Sequence, residues 1–192
     1  MRFVLAVGLT LVLVVGAWVA LAEEEASAQG PASAELKELH DADQADRSFT
    51  KPPSPDHWKG IAERDKKRRD RVMELIKAGS LETADDYYHA AMVLQHGEGS
   101  EDILIAHILS TVAGFKGHET GQWLSAAALD RYLHRIDQPQ RLGTQYLRSG
   151  PDVPWSQDPY EDWLPDSVRA AYGVPTLESQ QQRVEQMNQR DR

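Results

Sequence analysis

No cysteine occurs among the 192 residues. Thiol catalysis, disulfide staples and thiolate metal sites are therefore excluded, and the redox compartment cannot be read from cysteine usage. A chain of this length can still bury an adequate core without covalent or metal staples. Metal-ligand spacing is missing too. The seven histidines are His40, His57, His89, His96, His107, His118 and His134, and none forms H-x-x-x-H or H-E-x-x-H. His89 and His96 lie two turns apart and are not an ordinary ligand pair, so no metal is expected. There is no G-x-S-x-G elbow, Gly-rich phosphate loop or S-x-x-K motif, and no cofactor is expected. Positive charge is in deficit, with 21 Lys and Arg against 30 Asp and Glu, a net charge of −9. An acidic surface repels phosphate backbones, so no nucleic-acid partner is expected. The one basic run, Lys66-Lys67-Arg68-Arg69, is interleaved with Glu63, Asp65 and Asp70. It reads as a solvated helix face with i,i+4 ion pairs.

One long apolar run is present. Arg2 precedes 20 uncharged residues, Phe3 to Ala22, with Ala20-Leu21-Ala22 and Ala26-Ser27-Ala28 as A-x-A-like cleavage sites. Residues 1–22 are read as a signal peptide or an N-terminal membrane anchor. In either case Arg2 stays inside while Glu23, Glu24 and Glu25 follow the run outward, so the remainder is expected in the periplasm or outside the cell. Membrane contact is expected only through this segment, if it is uncleaved. Residues 23–34 are small and polar, a linker by composition, and 35–192 form a single helical domain.

Within that domain the periodicity predicts helices over about 34–46, 57–77, 84–95, 102–116 and the stretch through Ile136, with two further helices at 166–172 and 177–188. Gly79 suits a C-cap, and Thr83 an N-cap with Asp86 as an imperfect capping box. The 84–95 and 102–116 segments are apolar nearly all round, which predicts helices in the middle of a bundle. Tyr146-Leu147 and Val153-Pro154-Trp155 flank a Gly150-Pro151 turn, a minor β-hairpin confined by Pro154 to an edge. The fold class is all-α, a bundle of paired helices with that hairpin as its only β candidate.

Polar residues interrupt the apolar stretch from 84 to 145. Asp130 and Arg131 stand in AAALDRYL, where a charge must be paired, neutralised or used. Asp130 is read either as half of a buried ion pair that fixes register, or as the residue that orients a histidine or holds a substrate amine. Gln95 shares the stripe of Tyr88, Ala91 and Met92, and His96 follows it at a helix C-terminus. The dipole favours a histidine there, and imidazole also titrates near working pH, so His96 is either an end residue or a general acid or base. Gly143-Thr144-Gln145 supplies a backbone reversal and neutral hydrogen-bonding groups.

The series Asp43-Gln44-x-x-Arg47, Gln95-His96, Asp130-Arg131 and Gln140-x-x-Gly143-Thr144-Gln145 resembles a widespread bacterial domain family of unknown function. The likeness runs from about residue 35 to 188, with Val168-Arg169 and Gly173-Val174-Pro175 resembling its C-terminal region. Two departures are Gly97-Glu98, where an Ala-Asp pair is usual, and Leu142, where an aromatic is usual. The resemblance implies no reaction. It implies that Gln44, Arg47, Gln95, Arg131, Gln140, Thr144 and Gln145 belong with His96 and Asp130 to one site. Two functions follow. One is an exported helical protein whose polar site takes a small molecule, or which offers a groove of Tyr87, Tyr88, Trp123 and Tyr132 to a peptide or envelope partner. The other is a hydrolase with His96 as acid or base, Asp130 orienting it, Arg47 or Arg131 stabilising negative charge and Gln145 positioning substrate. If these groups share one site, Gln145 must reach His96, Asp130 or Arg131.

Overall fold

A computed structural model describes residues 30–49, 54–150 and 152–191. The apolar run, most of the 23–34 segment and the prolines at 52 and 53 lie outside the described residues. Seven helices are formed among those described: α1 Pro31–Ala45, α2 Pro55–Lys77, α3 Ala84–Leu94, α4 Ser100–Phe115, α5 Gly121–Arg135, α6 Asp166–Ala171 and α7 Leu177–Arg190. The all-α class holds. None of these helices is long and apolar enough to cross a membrane.

Local chemistry explains the helix limits. Pro31 and Pro55 open α1 and α2 at positions where a missing N–H costs nothing. The first helix therefore starts inside the 23–34 segment. Thr83 caps α3 through the backbone N–H of Asp86, and the Asp86 carboxylate accepts from the Thr83 N–H at 2.8 Å, a complete capping box. Gly79 follows α2 with φ +69°.

α3 is the hub, packed against α1, α2, α4 and α5. Its fully buried Ala90, Ala91 and Leu94 meet Leu36 of α1, Val72 of α2, Ala106 of α4 and Leu124 of α5. α4 and α5 make the most extensive pairing. Their backbones cross at Gly114 and Gly121, where a Cβ on Gly121 would stand 2.5 Å from the Gly114 nitrogen. α4 is not central, despite its apolar circumference. Ile108 and Phe115, seven residues apart on its outer side, face solvent, with Phe115 87% exposed.

Among the described residues of 136–165 no helix forms, and residues 141–144 fold back onto α5. The expected hairpin shrinks to one antiparallel pair, Leu147 with Ser156, and no sheet forms among the described residues. This loop is held by glutamine amides instead. Gln180 of α7 donates to the carbonyls of Leu142 and Pro175, at 2.9 and 2.8 Å. That is why α7, with its thin apolar edge, stays attached. Its one buried residue is an amide.

Candidate functional site

Two buried carboxylates anchor the polar part of the molecule. Asp43, on the last turn of α1, has no solvent exposure. It accepts from Arg47 Nη1 at 2.8 Å and Gln44 Nε2 at 2.8 Å, and lies 3.0 Å from His96 Nδ1. Arg47 turns its other end to Asp65 of α2, 2.6 Å away. Arg68 links Asp65 to Asp46, and Arg64 clasps Asp46 with two bonds of 2.8 Å. Burial raises the Asp65 carboxyl, but hydrogen bonds from Arg47 and Arg68 overcome it and hold the group below 3.8. Asp46, clasped first by Arg64, is brought down to about 2. Three carboxylates and three guanidinia thus neutralise one another between α1 and α2.

The expectation of a solvated basic face is corrected by this lattice. Lys66 pairs with Asp70 at 2.6 Å on the surface, but Asp65 and Arg68 are buried. They fall on the stripe Ile61, Asp65, Arg68, Val72, Leu75, whose spacing of 4, 3, 4 and 3 puts them on the inward face.

Asp130 has different partners. Its Oδ1 accepts the backbone N–H groups of Arg141 and Leu142 at 2.7 and 3.0 Å. Its Oδ2 accepts the Thr144 N–H at 3.0 Å and the Thr144 hydroxyl at 2.8 Å. Neither expected role is what the geometry gives. Among the described residues no cation lies within ion-pair distance of Asp130, and the carboxylate that orients His96 is Asp43. Four donors occupy the two oxygens of Asp130. It holds the 139–145 turn onto α5. Gln140 braces the same turn from the other side, donating to the Gln145 carbonyl at 3.0 Å and accepting from the Gln145 N–H at 3.0 Å. Gly143, at φ +79°, makes the reversal, and any Cβ there would strike the Gln180 amide.

The fixed turn presents Gln145 to Arg131. Arg131 Nε donates to Gln145 Oε1 at 3.2 Å, and Nη1 donates to the backbone and side-chain oxygens of Gln95 at 3.0 and 3.2 Å. The expected contact from Gln145 is therefore made. The Gln145 amide is aimed in turn by the Ala127 carbonyl, 3.1 Å away. Arg131 has no carboxylate within 4.0 Å among the described residues, and its Nη2 makes no hydrogen bond to them. Burial first, then the neighbouring Arg135 and Arg47 guanidinia, hold it below its ordinary 12.5.

Arg131, His96 and Arg47 share one open cleft of about 390 Å³, walled on the α2 side by Trp58, Ile61 and Asp65. The His96 imidazole is tied at Nδ1 to Asp43, so Nε2 is the nitrogen left for another partner. Burial pushes His96 below 6.5, and the opposing pull of Asp43 does not restore it. No family model, no curated protein and no solved structure matches the chain.

Of the residues singled out from sequence, Arg47, Gln95, His96 and Arg131 line the cleft. Gln44, Asp130, Gln140, Thr144 and Gln145 stand behind it as supports. The four-aromatic groove does not form. Trp123 and Tyr132 are nine residues apart on α5, half a turn of phase, and point to opposite sides. Tyr88 is stacked on His118 at 3.8 Å. Sequence reasoning gave the role of orienting His96 to Asp130 and not to Asp43, and it did not single out Asp65 or Trp58, which is 48% exposed at the cleft wall.

Proposed function

We propose that the chain is an exported helical protein whose cleft binds a small organic anion. The observation that carries this reading is Arg131. A guanidinium kept largely from water normally has a carboxylate beside it, because an unpaired buried charge is costly. Here two glutamines hold the group through Nε and Nη1, Nη2 has no partner among the described residues, and the residue lines the cleft, as a receptor prepared for an anion would require. The export half of the proposal rests on the 20-residue apolar run after Arg2 and the acidic residues beyond it. The resemblance to a bacterial domain family of unknown function belongs to this reading too, since the shared motifs are those that build the cleft and its supports.

The test is a thermal-shift titration of the full chain with acetate and with inorganic phosphate at constant ionic strength. At least one raises the melting temperature of the parent protein and neither raises that of Arg131→Gln. Equal shifts in both proteins would refute the reading.

A hydrolase is the second reading, favoured by the Asp43–His96 pair. A neutral imidazole fixed through Nδ1 can take a proton from water at Nε2. The hydroxide so formed would attack an ester carbonyl, the acyl–oxygen bond would break, and the proton would pass to the departing alkoxide. The cleft lining contains no Ser, Thr or Cys, so the nucleophile would be water. Release of p-nitrophenol from p-nitrophenyl acetate, lost in His96→Gln with the fold intact, is what this reading requires.

A further inference from the structure

The charge inventory and shape of the cleft narrow the ligand further, on the premise that it binds an anion at all. Two of its four guanidinia already have carboxylate partners. Arg47 is shared by Asp43 and Asp65, and Arg69 faces Asp102 at 3.3 Å. Arg131 and Arg135 remain without a carboxylate partner among the described residues, and Arg135 lies on the exposed rim together with Glu98. Among the described residues Arg131 is therefore the one inner guanidinium without a carboxylate, with Arg135 beside it at the solvent edge opposite the charge of Glu98.

Helix ends reinforce that limit. Arg47 follows the C-terminus of α1, and Gln95, His96 and Gly97 follow that of α3. The lining next to Arg131 thus comes from helix C-termini, where the Gln95 carbonyl already accepts from Arg131, while helix starts contribute only Trp58 of the first turn of α2 and Gly97 and Glu98 just before α4. A phosphate monoester would bring a second charge against these poles and against the Asp65 carboxylate. Sites for such dianions ordinarily offer helix N-termini or a nest of backbone N–H groups.

The α2 wall carries an apolar patch ahead of Asp65 and Arg69. Trp58, Ile61 and Ala62 stand at i, i+3 and i+4 on α2 and line the cleft together. The Trp58 ring meets Phe49 in an edge contact, ring centres 5.2 Å apart, and the residue is about half exposed. A half-exposed tryptophan in a cleft wall suits a flat or aliphatic body.

We propose that the ligand is an amphipathic monocarboxylate, its carboxylate on Arg131 Nη2 beside His96 and its apolar body against Trp58, Ile61 and Ala62. The experiment is calorimetric titration of the full chain at neutral pH with benzoate, hexanoate, acetate and phenyl phosphate. Benzoate and hexanoate should bind about tenfold more tightly than acetate, the ratio expected from burying roughly 60 Å² more apolar surface. Both should also bind more tightly than phenyl phosphate. Trp58→Ala, at an exposed position, should bring benzoate close to acetate, and Arg131→Gln should remove binding of all four. If phenyl phosphate binds as well as benzoate in an Arg131-dependent manner, the monocarboxylate is wrong and the anion reading stands. If acetate equals benzoate and Trp58→Ala changes nothing, the apolar wall has no role and the proposal fails. If no probe binds, the anion reading falls with it. Should Arg131→Gln not fold, the ranking of the four probes and the Trp58→Ala result still decide.

Discussion

Asp43 and Asp130 are equally shut away from solvent, and they are stabilised by opposite means. Asp130 is surrounded by neutral donors, three of them backbone N–H groups, and none of these can move without undoing the turn. Asp43 is held by side chains, a guanidinium, an amide and an imidazole, and two of those three partners also face the cleft. A carboxylate satisfied by backbone is a structural pin. One satisfied by titratable and mobile side chains passes its charge to a site. The difference separates support from chemistry among residues that look alike in sequence, and Arg131 joins the two regions without pairing to either carboxylate.

The comparison can be broken at each end. The largest effect is expected at the pin. Asp130→Ala strands three N–H groups and a hydroxyl, and buried donors left unpaired cost about 1–3 kcal/mol each, so a loss of about 3–5 kcal/mol is expected after the turn relaxes toward water. Denaturant titration measures it. A variant as stable as the parent would mean that the turn does not depend on this carboxylate.

A smaller loss is expected on the other side. Asp43→Ala leaves Arg47 its bonds to Asp65, so the charge is not abandoned, and about 2–3 kcal/mol is expected rather than the full cost of a broken buried pair. The discriminating readout is the imidazole. Proton NMR should show the His96 ring losing its fixed orientation in Asp43→Ala and keeping it in any Asp130 variant that still folds.

The smallest effect concerns acid. His96, His89 and His118 all lie below the ordinary 6.5, in each case with burial as the leading cause. A histidine lowered on folding favours the native state in its neutral form. That contribution is complete above 6.5 and is lost as pH falls from there through the lowered folded values. Stability should therefore decline across that window, and His96→Gln should remove part of the slope. An unchanged slope in His96→Gln would show that His96 does not sense pH through folding. Asp46 acts in a separate window. Its contribution persists above 3.8 and disappears as pH falls toward about 2.

Much of this arrangement was legible in the chain. Capping residues, prolines and apolar periodicity set the helices to within a few residues, because such signals act over one or two turns. Gln95, His96 and Arg131 stood out as polar groups in apolar surroundings, and they do line the cleft. The pairing of those groups was not legible. A buried Asp130 suggests an ion pair with a cation elsewhere in the chain, yet its partners are the backbone N–H groups and the threonine hydroxyl of a turn 11 to 14 residues on. Asp43 and His96 are 53 residues apart, and their 3.0 Å contact exists only because α1 and α3 pack side by side. Asp65 and Arg68 were hidden within a charged run, where composition pointed to solvent and only the packing of α2 on α1 turned one face inward. The sequence alone determined which segments are helical and which polar residues are out of place in them, since propensity, capping and periodicity are properties of neighbours along the chain. Which carboxylate serves the histidine, which serves the turn, and which guanidinium stays unpaired were decided only by tertiary structure, because hydrogen bonds reach about 3 Å and partners so far apart in sequence meet only when helices pack.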